Sequence, residues 1–548
     1  MIRHQQREAA RRVVLIEAAA ENRLKETESR VKAEFAGQEV ILNPPFVGGT
    51  NDIRALVSHY APGVSRTVPE SSAEVILHPL EPVNGAIQDD AIRINEAIEN
   101  ASRPAVIHLA EGRYEIRSPV GLRSGIVLRG EGMRRTVVIS TQPAGQIHII
   151  GQADPEAAAI LSGGECGTRR MVLDHTDGFA RGDMVRVFSA TDTGSNPAFR
   201  GQIAAIAAVV APNTLRLDRP LRLTCPPPVR IQRMLPIRFA GVESMTIHTR
   251  EPDTENPVAY PAADRHTIKV DKAVDCWVRD CELSFSRTSH VWITDSRFVT
   301  VEGCYMHHGW RYDSPHGYGI CLADFTSDCL VADNVFAALR HAMIVKAGAN
   351  GNVFAYNFST ENNPQNNKDD SCDFSAHGFY AHANLLEGNV LQFAQSSDNF
   401  GPSGPLMTFF RNRIEGMGIL ITNQSHFPVI AGNVFDRGGV YMERGIVGSL
   451  AVGNVKSETP LRDTFVYNEF KVFRHDEPRR APALIPSLFL KHKPDFLADT
   501  PWPCFGPDVS PDTVLPAQQR YTDTYQHWTA PMQEQRQPQI NTDDGRRR

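Results

Sequence analysis

Residues 330–338 read LVADNVFAA, and residues 353–361 read VFAYNFSTE. The same phrase stands earlier as WVRDCELSF (277–285) and VTVEGCYMH (299–307). It returns as LLEGNVLQF (385–393), FFRNRIEGM (409–417), VIAGNVFDR (429–437) and LAVGNVKSE (450–458). Each copy is a short apolar run, a small or polar residue, Asn or Cys, and then usually an apolar pair. The markers are Cys281, Cys304, Asn334, Asn357, Asn389, Asn412, Asn433 and Asn454, spaced by 23, 30, 23, 32, 23, 21 and 21 residues. Such a period marks a solenoid in which each unit buries its face on its neighbours.

The units are rich in Val, Ile, Phe and Tyr, are punctuated by Gly, Asn and Asp, and carry no helical stripe. They therefore read as strands. Leucine-rich repeats share the period but need a Leu-x-x-Leu-x-Leu frame that is absent here, and a β-sandwich would not keep the spacing. The remaining reading is a parallel β-helix with about three short strands per turn. An Asn once per coil suits a tight bend, where it tolerates left-handed geometry and its amide bonds the Asn of the next coil. Cys281 and Cys304 fill the same slot in adjacent coils. They are expected to stack as reduced core thiols, with a disulfide as the alternative.

The chain has 548 residues and a formal net charge of −6, which points to neither nucleic acid nor a membrane surface. No run of eighteen apolar residues exists. The first 25 residues, MIRHQQREAARRVVLIEAAAENRLK, lack the apolar core and cleavage site of a secretory signal peptide. The expected address is therefore open from the residues alone.

Residues 1–40 read as an amphipathic helix with Ile16, Ala20, Leu24, Val31 and Phe35 on one stripe. It docks on the body or pairs with copies of itself, so monomer and homotrimer both stand. Residues 41–82 form a linker, 83–165 an amino-terminal cap with the first coils, 166–235 a small inserted β-domain, and 236–456 the repeating coils. Residues 457–530 are expected to be a non-repeating cap over the last coil, and 531–548 a disordered tail.

In the cap, Asp89 and Asp90 precede the helix AIRINEAIENA, followed by VIHLAEGRYEI and GIVLRGEG. This order closely resembles the capping segment of the pectate-lyase-like superfamily, with Ala110 where Pro is commonest. The resemblance covers about residues 83 to 522. It implies an all-β, right-handed parallel β-helix with an inserted β-domain and a carboxy-terminal cap. It also implies action on polysaccharides at or beyond the cell surface, but not which reaction.

Chemistry is expected where the period breaks. About seven extra residues separate Cys304 from Asn334, and about nine separate Asn357 from Asn389. The two insertions lie two coils apart, so their tips fall roughly 10 Å from one another on one side. The first supplies His307, His308, Trp310, Arg311, Tyr312, Asp313, His316 and Tyr318; the second supplies Lys368, Asp369, Asp370, Asp373, His377, Tyr380 and His382. Between them, strand alternation sets Arg340, Ala342, Ile344 and Lys346 on one face and His341, Met343 and Val345 on the other. With Met343 and Val345 inward, Arg340 and Lys346 point into the groove and His341 is a core histidine. Arg411 and Arg413 extend a cationic strip.

Three chemistries fit. For β-elimination on a uronic acid glycan, Arg340 or Lys346 neutralises the carboxylate while His377, His316, Tyr312 or Tyr380 moves the proton. Hydrolysis needs a carboxylate pair drawn from Asp313, Asp370 and Asp373. Calcium could be held by Asp369, Asp370 and Asp373. The substrate-binding set is His308, Trp310, Arg311, Asp313, Tyr380, Arg411 and Arg413, with Asp373 counted among the catalytic groups. The sequence reading favours a lyase on an acidic polysaccharide, ahead of a glycoside hydrolase and of a non-catalytic, tailspike-like binding module.

Overall fold

The computed structural model describes residues 60–64, 73–81, 88–141, 146–190, 199–250, 266–362, 371–396, 401–443, 445–446, 448–456, 470–472, 484–510 and 512–526. The expected helix at 1–40, most of the linker and the tail at 531–548 lie outside these residues.

Each coil lays down three strands. One coil runs through Leu330–Ala332, Val335–Ala337 and His341–Val345, and the next through Val353–Ala355, Phe358–Thr360 and Cys372–Ala376. Equivalent strands pair in parallel, with Val331 opposite Phe354, Phe336 opposite Ser359 and Met343 opposite Phe374. The first strands form a 12-stranded sheet, and the second and third strands share a 20-stranded one. One face of each sheet points into a common interior. Val331, Phe354, Leu386, Phe409 and Ile430 stack there from the first strands, and Met306, Phe336, Met343 and Phe374 from the others. The solenoid's lower end is covered by the helix Asp90–Asn100, capped by the Asp89 carboxylate on the Ala91 amide at 3.1 Å. Its Ala91, Ile94 and Ile98 are buried in the same core.

The marker asparagines form the expected ladder. Asn334 Nδ2 donates to Asn357 Oδ1 at 3.0 Å, Asn357 to Asn389 at 2.9 Å, Asn389 to Asn412 at 2.8 Å and Asn412 to Asn433 at 3.0 Å. The left-handed conformation falls one residue earlier than expected. Asp333, Tyr356, Gly388, Arg411 and Gly432 have φ of 52°, 57°, 69°, 52° and 66°, while the asparagines do not. The bend thus needs two residues: one to turn the chain and one to satisfy the backbone it exposes. A second, shorter ladder joins Asn352 to Asn384 at 2.9 Å. Cys281 and Cys304 are buried free thiols, as are the other seven cysteines.

Between Ile150 and Ile237 the chain leaves the solenoid and builds an antiparallel barrel. Met184–Ser189, Gly201–Val210, Thr214–Leu217, Arg170–Leu173, Ala158–Ser162 and Val229–Leu235 pair in that order, and the last returns to the first. The sheet starts at Gln152, ahead of the boundary expected at 166. The barrel is clamped to the solenoid by buried charge. Asp328 accepts from Arg297 Nε at 2.8 Å, from Arg222 Nη2 at 2.6 Å and from Arg219. Arg297 reaches back to Asp218 of the barrel at 2.8 Å.

The carboxy-terminal segment differs from the expected cap. It runs down the flank of the coils instead of covering the last one. Arg411 holds the carbonyls of Leu484, Ile485 and Phe505 at 2.8–3.0 Å, and Glu387 accepts from Leu488 N at 2.8 Å. Trp502 Nε1 donates to Tyr356 at 3.0 Å, Arg520 pairs with Asp333 at 2.9 Å, and Tyr525 stacks on Tyr305 at 4.0 Å. At the far end, Phe470–Val472 pairs antiparallel with the third strand Gly439–Glu443.

Candidate functional site

Both irregular spacings fall in the same connection, between the second and third strands of their coils. The first lies between Tyr305–Gly309 and Tyr318–Ala323, and the second between Phe358–Thr360 and Cys372–Ala376. Of the second, residues 363–370 are not described, so Lys368, Asp369 and Asp370, with the calcium expectation built on them, lie outside the structure's reach. Among the described residues, no group of three or more His, Cys, Asp or Glu is placed to hold a metal ion.

The third strands bring several of the expected residues together. Val345 pairs with Leu322 on one side and Ala376 on the other, so Ala323, Lys346 and His377 stand in register on three successive coils, with Asp324 one residue beyond Ala323. The backbone ties are Lys346 N to Leu322 O at 3.0 Å and His377 N to Val345 O at 2.8 Å. Lys346 Nζ lies 4.8 Å from the ring centre of Trp292, on which the His266 ring stacks at 4.5 Å. Burial, with Lys346 and Arg340 adding to it, lowers His377 to about 4 and keeps its ring neutral. Burial, helped by Asp295 and opposed by Lys346, raises Asp324 to about 6. Asp295 is tied to Arg186 of the barrel at 2.9 Å.

Alternation along this strand slips by one residue. Ala342 and Met343 both join the interior core, and at the matching place a Cβ on Gly319 would meet the core ring of Phe336 at 2.8 Å. His341 is therefore not an inward histidine. It stands beside Tyr318 at a ring separation of 5.3 Å and 3.2 Å from Cys372 Sγ. Arg340 does not project into open solvent either; it is 3% exposed and donates to the Tyr318 hydroxyl at 3.1 Å.

Other expected residues have different surroundings. Asp373 is fully buried and accepts from Ser359 Oγ at 2.6 Å, Gln392 N at 2.6 Å and Phe393 N at 2.7 Å, so it fastens the coil instead of facing a ligand. Arg411 is buried in the carboxy-terminal contacts described above, and Arg413 pairs with Asp436 at 2.8 Å; neither forms a free cationic strip. The Tyr312 hydroxyl receives Gly309 N at 3.0 Å and donates to Ala338 O of the next coil at 3.2 Å. His316 is bound to Asp313 at 2.9 Å, and Asp313 in turn to Arg311 at 2.9 Å. Tyr380 lies under Arg200 of the barrel at 4.7 Å. His308 and Trp310 sit over the second strands, with Trp310 Nε1 on Thr249 O at 2.8 Å.

Trp292 and Asp324 were missed by sequence reasoning, and Tyr318 was placed in the first insertion without a role. A signal for Asp324 exists: Asp295 and Asp324 stand at the same place just after their third strands, in TDS and ADF, one residue beyond the place of Asp271. It was hidden because these aspartates lie outside the repeated phrase.

Residues 83–173 match the family model described as rhamnogalacturonase A/epimerase, pectate lyase-like. They hold the capping helix and the first coils of the parallel solenoid. This match, together with the right-handed parallel β-helix fold, supports the resemblance to the pectate-lyase-like superfamily. No curated protein sequence matches this chain. Among solved structures it is similar to the tailspike protein gp49 from Pseudomonas phage LKA1, at 15% identity and a TM-score of 0.48 over 64% of this chain. It is also similar to the Gp54 tailspike of Acinetobacter baumannii bacteriophage AP22, solved with a capsular saccharide, at 10% identity and a TM-score of 0.43 over 67% of this chain. The chain spans 57% and 66% of the length of those two proteins. The catalytic domain of an α-1,3-glucanase is matched at 8% identity and a TM-score of 0.38, over 72% of this chain and 60% of that one. Among the described residues, no helix is long and apolar enough to cross a membrane.

Proposed function

We propose that this pectate-lyase-like protein is a polysaccharide-cleaving enzyme acting by β-elimination on a uronic-acid-containing glycan at the outer face of its third strands. The family match supports a carbohydrate-directed role. The observation that carries the reaction is the in-register pair Lys346 and His377 on adjacent coils, with Lys346 over the Trp292 ring and Asp324 on the preceding coil, one residue further along. Elimination needs a cation on the carboxylate, a base for the acidified C5 proton and an acid for the leaving oxygen. Lys346 neutralises the uronate, with Arg340 behind it. His377, neutral because burial lowers it to about 4, takes the proton. Asp324, raised to about 6 by burial, still holds a proton to hand to the glycosidic oxygen. Trp292 offers an aromatic face to a sugar ring. Hydrolysis by Asp313, Asp370 and Asp373 loses support, since Asp373 is enclosed and Asp313 is engaged by Arg311 and His316.

A panel of uronic polymers followed by ultraviolet absorbance of the unsaturated product tests this. One polymer should yield the chromophore, and Lys346→Ala and His377→Ala should each lower kcat/KM by at least about a hundredfold. The pH profile should rise through about 4 and fall through about 6, with Asp324→Asn losing the alkaline fall. New reducing ends without the chromophore would point to hydrolysis. Binding without cleavage would point to a recognition module, and full activity in both alanine variants would remove the site.

A further inference from the structure

A second constellation lies on the neighbouring face, that of the second strands. Glu282 is fully buried and accepts from Thr246 Oγ1 at 3.1 Å and His307 Nε2 at 3.3 Å, with Arg134 Nε at 3.5 Å. Burial pushes its carboxyl up, but His307 and Arg134 together hold it below the ordinary glutamate range, so it is ionised. A carboxylate can only accept, so the hydrogen of His307 sits on Nε2. Burial lowers His307 as well, which keeps its ring neutral and leaves Nδ1 a bare acceptor.

That acceptor is 2.9 Å from Nδ1 of His308. Two ring nitrogens at this distance share one hydrogen, and only His308 has one to give. Burial, and then His307, lowers His308 to about 4, so its ring is neutral too. Its single hydrogen is spent on His307, and Nε2 carries a lone pair with no partner among the described residues. Buried Glu282 thus fixes a tautomer two rings away, on a half-buried residue.

The surroundings of His308 are aromatic. Its ring stacks on Phe285 at 5.2 Å, and Phe285 lies 5.0 Å from Trp310, whose indole is pinned to Thr249 O. The carbonyl of His308 is held by His290 Nε2 at 3.0 Å. Pinned backbone, fixed tautomer and half-buried rings leave little to order on binding.

We infer a second carbohydrate-binding site here, in which His308 Nε2 accepts a hydrogen bond from a hydroxyl of a neutral sugar unit lying against Trp310 and Phe285. A bare imidazole nitrogen offers nothing to a carboxylate, so the site selects against the uronate that Lys346 would take. The ligand class rests on the polysaccharide reading above, while the tautomer does not.

Nitrogen-15 NMR of histidine-labelled full-length protein tests both parts. The His308 signals should show hydrogen on Nδ1 and none on Nε2 near neutral pH. Titration with xylo-, gluco-, galacto- and rhamno-oligosaccharides at millimolar concentration should shift His308 Nε2 for at least one neutral probe, and a galacturonate hexamer should not shift it. His308→Phe should lose that binding at least tenfold with an unchanged melting temperature. A hydrogen on Nε2, or no response to any neutral probe, overturns the site. Because the tautomer is read without substrate and lysis is read separately through Lys346→Ala, failure of this site and failure of the lyase reading are distinguishable.

Discussion

Glu387 is 1% exposed, receives Leu488 N at 2.8 Å and lies 3.3 Å from the Tyr356 hydroxyl. Burial raises it from the ordinary 4.5 to about 7, against hydrogen bonds from Ser487 and Leu488 and the charge of Arg411. A carboxyl raised on folding binds its proton more tightly when folded, so stability is greatest below the unfolded value. It is lost as pH climbs from about 4.5 to about 7, and flattens above that. The melting temperature should fall across that window, and Glu387→Gln should flatten the part of the slope nearest neutrality. Asp333 and Asp373, raised to about 6, act in the same direction and keep some slope in the variant. This scale was the least legible in the sequence. Asp373, Arg411 and Lys346 are all charged letters in or near irregular coils, and nothing in the string says which are enclosed. Asp373 is enclosed because two backbone amides need an acceptor, and Arg411 because the carboxy-terminal carbonyls need a donor. Those partners are 19 to 94 residues away.

At the scale of the element, each asparagine inside the ladder performs four tasks at once. Asn389 donates to Phe354 O at 2.9 Å and Asn412 Oδ1 at 2.8 Å, and receives Asn357 N at 3.0 Å and Asn357 Nδ2 at 2.9 Å. Replacing it with Leu leaves those buried partners unsatisfied, at about 1–3 kcal/mol each for the worst placed. Asn389→Leu should therefore lower the unfolding free energy read from urea denaturation by about 3 kcal/mol or more. Asn389→Asp, which keeps the acceptor and loses the donor, should fall between it and the wild type. The ladder was legible because one residue type recurs at one spacing. The third strand was only half legible. Alternation placed Ile344 and Lys346 correctly against Met343 and Val345, yet failed at His341. There Ala342 and Met343 both turn inward, which no periodicity announces.

For the whole molecule, the solenoid and the barrel share one ionic knot. Asp328 and Arg297 are both fully buried, and Arg219, Arg222 and Asp218 come to them from the barrel. Removing one partner of such a set strands the others, typically at about 3–5 kcal/mol. Asp328→Asn should destabilise the protein by about that amount in chemical denaturation, whereas Asp218→Asn, whose side chain is one-third exposed, should cost less. The nine thiols give an independent check, since all are buried: Ellman's reagent should find none until the chain unfolds. The solenoid was legible from its period and the barrel from its two-residue alternation. The path of the carboxy-terminal segment was not, because a strap and a lid use the same proline and aromatic residues.

The strand Phe470–Val472 runs against the direction of every coil beneath it. A stack of identical rungs invites another molecule to continue it, rung upon rung, into a filament. A final strand of reversed polarity presents the wrong hydrogen-bond spacing to an incoming parallel coil. The protein thus terminates its own repeat, and trimming that strand should turn a discrete particle into a sticky one.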